Sequence, residues 1–234
     1  MSEGSIVQRI KKSLQSSSGE VVFGMSDGTV SILGLVLGVA AGGSSADAVV
    51  LAGATGAIAA SVSMMAGCFM EIESERDEVN LEIKERKEEI ERNPDKAVTE
   101  LLTVLQQTRL SPGSIESIRS DINKNPMVIS DIETAIGTCT STSGQKTSPV
   151  IHSFWMFISD LVAGLTPVIP FVLFPMNTAW IICVIITTAL LLLLGIGRAR
   201  IGNRSVLKEV PETMGIALAA ALAGVGVGVL LQML

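Results

Sequence analysis

The chain has one histidine, His152, and three cysteines in 234 residues, and no lysine or arginine falls inside any of its long apolar stretches. Each shortage excludes a class of chemistry. A ferritin-like di-iron oxidase needs Glu-x-x-His pairs on facing helices, and one histidine cannot supply them. His152 itself stands at the start of an apolar block and reads as an interfacial residue rather than a ligand. Cys68, Cys139 and Cys183 are too widely spaced for a Cys-x-x-Cys site, and two of them lie in or beside apolar blocks, so they read as small buried hydrophobes. Neither a Gly-x-Ser-x-Gly elbow nor a phosphate-binding Walker loop is present. The chain reads as a non-enzyme, with no prosthetic group and no nucleic-acid partner expected.

What is abundant is apolar sequence gathered into blocks. Apolar side chains make up 48% of the chain, charged ones 17%, and the mean hydropathy is +0.52, which is the membrane class. A hydrocarbon core of about 30 Å needs roughly 20 apolar residues per helix. Five stretches qualify, near 21–41, 48–70, 150–174, 178–197 and 212–233. The expected fold is all-α: a polytopic membrane protein with five transmembrane helices and a cytoplasmic helical insert between the second and third. Residues 1–20 form a tail, 21–70 the first two spans, 71–148 the insert and 149–234 the last three spans. No cleavable leader is evident, because the first apolar block is long enough to remain as a helix.

All seventeen lysines and arginines fall in the tail, in the polar segment or in the 198–208 loop. With five spans those three regions share one side of the membrane, and the positive-inside rule makes it the cytoplasmic one. In the tail, Ile6, Val7, Ile10 and Leu14 share a helical face that suits a short helix in the headgroup region.

Helices in lipid gain little from burying leucine against leucine, so small residues must let them pack closely. Gly24 and Gly28, Gly34 and Gly38, then Gly53, Ala57 and Ser61, and finally Gly224 and Gly228 recur at four-residue spacing. Pro167, Pro170 and Pro175 punctuate the third span, each removing a backbone donor. They either break it where it lines a path or end it near its far side.

Ionisable groups inside a span are costly and functional by default. Glu20 opens the first span, Asp27 lies seven residues on along the same face, and Asp160 sits about ten residues into the third. With no basic residue in the spans, such carboxylates need a cation or a proton as partner. A thioether such as Met64 or Met65 shifts an oxygen site toward first-row metals.

Below the second span the helix is expected to run on from Phe69 to Arg92, because no glycine or proline intervenes before Pro94. Along it Glu71, Glu75, Glu78, Glu82, Glu85 and Glu89 form one acidic stripe. Ile72, Val79, Ile83 and Ile90 form an apolar seam beside it. Short helices are expected over 95–107, 114–123 and 127–137. Residues 71–148 hold sixteen acids and ten bases, so the net charge of −6 resides there. Divalent cations are natural partners for such a stripe.

Gly24-Met-Ser-Asp-Gly28, the Ser63-Met64 pair leading into Glu73-Ser-Glu-Arg-Asp77, and Gly164-Leu-Thr-Pro-Val-Ile-Pro170 together resemble the vacuolar iron transporter family. The resemblance implies a homodimer that exports Fe²⁺, and often Mn²⁺, from the cytoplasm in exchange for protons, across a vacuolar-type or plasma membrane. It implies a path lined by Asp27, Glu20 and Met64, and metal-gathering glutamates at Glu89 and Glu100, with Glu75, Glu78, Glu82 and Glu85 on the same stripe. The chain departs from the family where Gly56 replaces a glutamate, where Arg86 replaces a metal-binding glutamate, and where Glu133 and Thr134 replace a Met-rich stretch. Asp160 is a candidate for the missing carboxylate. A membrane-anchored metal sensor or interaction scaffold fits the same composition, and differs in that it should tolerate Asp27→Ala.

Overall fold

The computed structural model describes residues 3–140 and 148–233. Among the described residues every element is helical: α1 (Glu3–Ser16), α2 (Ser18–Ala41), α3 (Ala46–Arg92), α4 (Pro94–Gln106), α5 (Pro112–Lys124), α6 (Val128–Thr140), α7 (Pro149–Leu165), α8 (Ile169–Leu173), α9 (Met176–Ile201) and α10 (Val206–Gln232). Prolines open α4, α5 and α7, where a missing N–H costs nothing because the first turn has no partner for it. Ser111 caps α5, its hydroxyl accepting from the Ser114 amide at 3.2 Å. The chain divides into two compact units, one of residues 1–70 with Ser148–Leu234 and one of Glu71–Thr147.

In the first unit α2, α3, α9 and α10 are long and apolar enough to cross a bilayer, whereas α7 is a shorter apolar helix. At 1.5 Å per residue, the 17 residues of α7 extend only about 25 Å. The third expected span is thus divided into α7 and α8. Across the break the Thr166, Val168 and Phe171 amides bond three residues back, to Ala163, Leu165 and Val168. Prolines at 167 and 170 leave only this tighter winding.

Helix α2 is gripped from two sides through its glycines. Toward α7, a Cβ on Gly24 would stand 2.7 Å from Ser159 Oγ, and one on Gly28 would meet the Asp160 carbonyl. Toward α10, a Cβ on Gly34 would lie 2.9 Å from the Ala220 carbonyl oxygen and one on Gly38 2.6 Å from that of Gly224. These separations admit no side chain, which is why the small-residue stripes fall here. Ile32, Leu33, Val36, Val49, Ala57, Val168, Phe171, Ala179 and Cys183 form the core of this unit. Many large apolar side chains, such as Leu51, Val172 and Leu193, face outward, the arrangement a lipid solvent favours.

The second unit packs the end of α3 with α4, α5 and α6 around Ile90, Val98, Leu101, Ile122 and Ile129. Of the expected seam only Ile90 is buried, and Val79 is exposed. The tail forms α1, whose Ser13 Oγ accepts from Trp155 Nε1 at 2.8 Å. Its Ile6 and Val7 side chains, and that of Cys139, lie outside the described residues. Cys68 and Cys183 are buried, as small hydrophobes would be.

Candidate metal path and the VIT family

In the apolar first unit a carboxyl is buried where three helices meet. Asp160 of α7 is 1% exposed. Its Oδ2 accepts from the Ser61 hydroxyl of α3 at 2.6 Å, and that hydroxyl lies 2.7 Å from the Ala57 carbonyl. Among the described residues Oδ1 has no hydrogen-bond partner, and it lies against Gly28 of α2, where a Cβ would stand 2.8 Å from it. Glycine at 28 therefore makes room for the Asp160 carboxyl. Asp27, next along α2, is half-buried and near enough for its charge to act on Asp160. Two acids share one apolar region, with their mutual repulsion uncompensated by any lysine or arginine in the surrounding sequence. Ser26 gives Asp27 no help, because its hydroxyl is turned to the Val22 carbonyl at 2.9 Å. Met64 and Met65 are half-buried in α3.

Glu20 stands apart from that junction in its bonding. Its Oε1 lies 3.1 Å from His152 Nδ1, which also lies 3.2 Å from Ser17 Oγ. Read as an interfacial residue, His152 is in fact 4% exposed and serves as the partner of Glu20. A second pairing missed in the sequence is Glu209, at the start of α10. It is 4% exposed and bonded to Arg204 Nη1 at 3.0 Å, with Arg198 Nε at 3.8 Å. The only hint of it in sequence was an acid beside the arginines of the 198–208 loop.

In the second unit the acids behave in two ways. Glu75, Glu78, Glu82 and Glu85 are exposed and enter none of the unit's ion pairs among the described residues. Glu89 and Glu100 are engaged by Arg86 and Lys96. The Lys96 hydrogen bond, and then that of Arg86, hold the Glu89 carboxyl below its ordinary value, and Glu89 in turn raises Lys96. Among the described residues no three His, Cys, Asp or Glu side chains already converge as a metal cage.

The family model described as the VIT family matches residues 19–229. The chain belongs to the VIT family. Vacuolar iron transporter 1 of Eucalyptus grandis is 25% identical over 214 residues, covering 91% of this chain and 86% of that one. The vacuolar iron transporter of Centaurea cyanus is 24% identical over 211 residues, with 87% and 84% covered, and vacuolar iron transporter 1 of Arabidopsis thaliana is 24% identical over 205 residues, with 87% and 82% covered. With VIT-family membership and four helices fit to cross a bilayer, the chain is an integral membrane protein. In this VIT chain a Cβ on Gly56 would lie 2.5 Å from Leu35 Cδ2 and 3.5 Å from Ile32 Cδ1. Position 56 therefore faces apolar side chains of α2, and the buried carboxyl reaches α3 five residues later, at Ser61, from α7.

Proposed function

We propose that this protein is a secondary transporter that moves divalent metal, Fe²⁺ with Mn²⁺ as a second cargo, out of the cytoplasm in exchange for protons. The observation that carries the reading is the pair Asp27 and Asp160, two acids close enough within apolar helices for one charge to act on the other, with one Asp160 oxygen lacking a partner among the described residues. A dication or a proton relieves their repulsion, and exchanging one for the other is the chemistry of a coupled carrier. The names of its relatives, all vacuolar iron transporters, point to the same cargo.

In this proposal the exposed glutamates Glu75, Glu78, Glu82 and Glu85 raise the cation concentration at the cytoplasmic face. The ion then passes Glu20, Asp27 and Met64, with Asp160 supplying the acid that Gly56 does not. Protonation from the acidic side releases it. The tail and the Glu71–Thr147 unit are cytoplasmic, following the positive charges, the helical stretch α7–α8 completes a fifth span, and the working form is a homodimer in a vacuolar-type or plasma membrane.

The test is uptake into proteoliposomes holding a dye quenched by Fe²⁺ and Mn²⁺, with and without an imposed pH gradient. Gradient-stimulated quenching should be lost in Asp27→Ala and reduced at least tenfold in Asp160→Asn, which keeps the side chain's shape. No quenching by the wild type, with metal still bound, would instead make the chain a membrane-anchored metal sensor. Asp160→Asn with unchanged uptake and pH dependence would remove Asp160 from the path.

A further inference from the structure

Three helices of the second unit meet on one guanidinium. Arg86 of α3 grips Glu133 of α6 with two parallel bonds, Nε to Oε2 at 3.0 Å and Nη2 to Oε1 at 3.1 Å. Its Nη1 donates to Glu89 Oε2 at 2.8 Å and to Glu100 Oε2, on α4, at 3.3 Å. The far oxygens of the last two are held by Lys96 Nζ, 3.0 Å from Glu89 Oε1 and 3.5 Å from Glu100 Oε1. All six carboxylate oxygens of Glu89, Glu100 and Glu133 therefore already face a cationic nitrogen.

We propose that Arg86 is the resident cation of this unit: it occupies the place among Glu89, Glu100 and Glu133 that a divalent ion would need, and so makes the unit's fold independent of bound metal. A planar fork suits this task, since it satisfies one carboxylate in bidentate fashion and still has a nitrogen for two more. Arginine stays charged at every pH the protein meets, so the tie does not vary with metal supply, and only protonation of its glutamate partners in acid weakens it. A metal entering this cluster would first have to displace both Arg86 and Lys96. Exposed glutamates earlier on α3, such as Glu78 and Glu82, stay open to ions.

Hydrogen–deuterium exchange of the full-length protein in detergent, followed by mass spectrometry of peptides covering α4 and the 128–134 stretch of α6, tests this. In the wild type, uptake in EDTA and in Mn²⁺ should be the same. Arg86→Gln should raise uptake several-fold in EDTA, and Mn²⁺ should restore much of the protection by gathering the freed carboxylates, while Arg86→Lys should fall between. Wild-type protection that increases on adding Mn²⁺, and is lost in Glu133→Gln, would overturn the proposal even if Arg86→Gln does not fold. Equal uptake in wild type and Arg86→Gln, or no recovery of the variant with Mn²⁺, would overturn it as well. The readout lies wholly within the Glu71–Thr147 unit, so a failure of transport in liposomes leaves it unaffected.

Discussion

The Ser61 hydroxyl donates to Asp160 Oδ2 at 2.6 Å, joining α3 to α7 where both side chains are almost wholly buried. Ser61→Ala removes the one side-chain hydrogen bond that this carboxyl makes among the described residues. The cost of leaving a buried acceptor without a donor is about 1–3 kcal/mol. Thermal unfolding in detergent should show that loss, and a Ser61→Thr variant, which keeps the hydroxyl, should recover part of it.

The α2–α10 crossing depends on an absent side chain. Gly38→Leu inserts bulk where even a Cβ would lie 2.6 Å from the Gly224 carbonyl. Forcing extra carbon into a closed contact costs about 1–3 kcal/mol, and more where backbone faces backbone. The variant should show lower yield of monodisperse protein and a depressed unfolding temperature. Gly197→Leu, placed where nothing lies within 4 Å of the added carbon, should not.

Acid should loosen the second unit before base does. Glu89 titrates below its ordinary 4.5, with Lys96 first and Arg86 second as the cause. A lowered carboxylate contributes fully above its unfolded value and loses that contribution as pH falls through the folded one. Lys96, raised above 10.5 mainly by Glu89, contributes below its unfolded value and loses that contribution only as pH rises past the folded one. Exchange protection of α4 should therefore be flat from about pH 5 to 10 and fall on the acid side below about pH 4.5. Because both groups are exposed, added salt should shrink the effect.

Helix boundaries were legible wherever proline or glycine writes them. Pro94 ends α3 one residue after Asn93, and Gly42 and Gly43, the latter with φ of 76°, turn the chain between α2 and α3. Glycine spacing likewise identified the faces through which α2 is packed. The three prolines announced trouble in the third span, yet composition did not distinguish a divided helix from a short one, and backbone bonding decides that. Pairings between helices were the illegible part. His152 and Glu20 are 132 positions apart, and nothing local says that a histidine at the head of α7 meets an acid at the head of α2. In the sequence Arg86 stands out only as a base within the acidic stripe, between Glu85 and Lys87. Its strongest grip, on Glu133, comes from a helix 47 residues away.

Helix α2 has backbone in contact with two neighbours at once, at Gly24 and Gly28 on one side and at Gly34 and Gly38 on the other. Such a helix has very little room for genetic drift. A saturation library of residues 18–41 should retain variation mainly at the outward positions Gly19, Phe23 and Ser31. On α3 the same tolerance belongs to the exposed positions Leu51, Ile58 and Val62, and not to Ser61, which is held against Asp160.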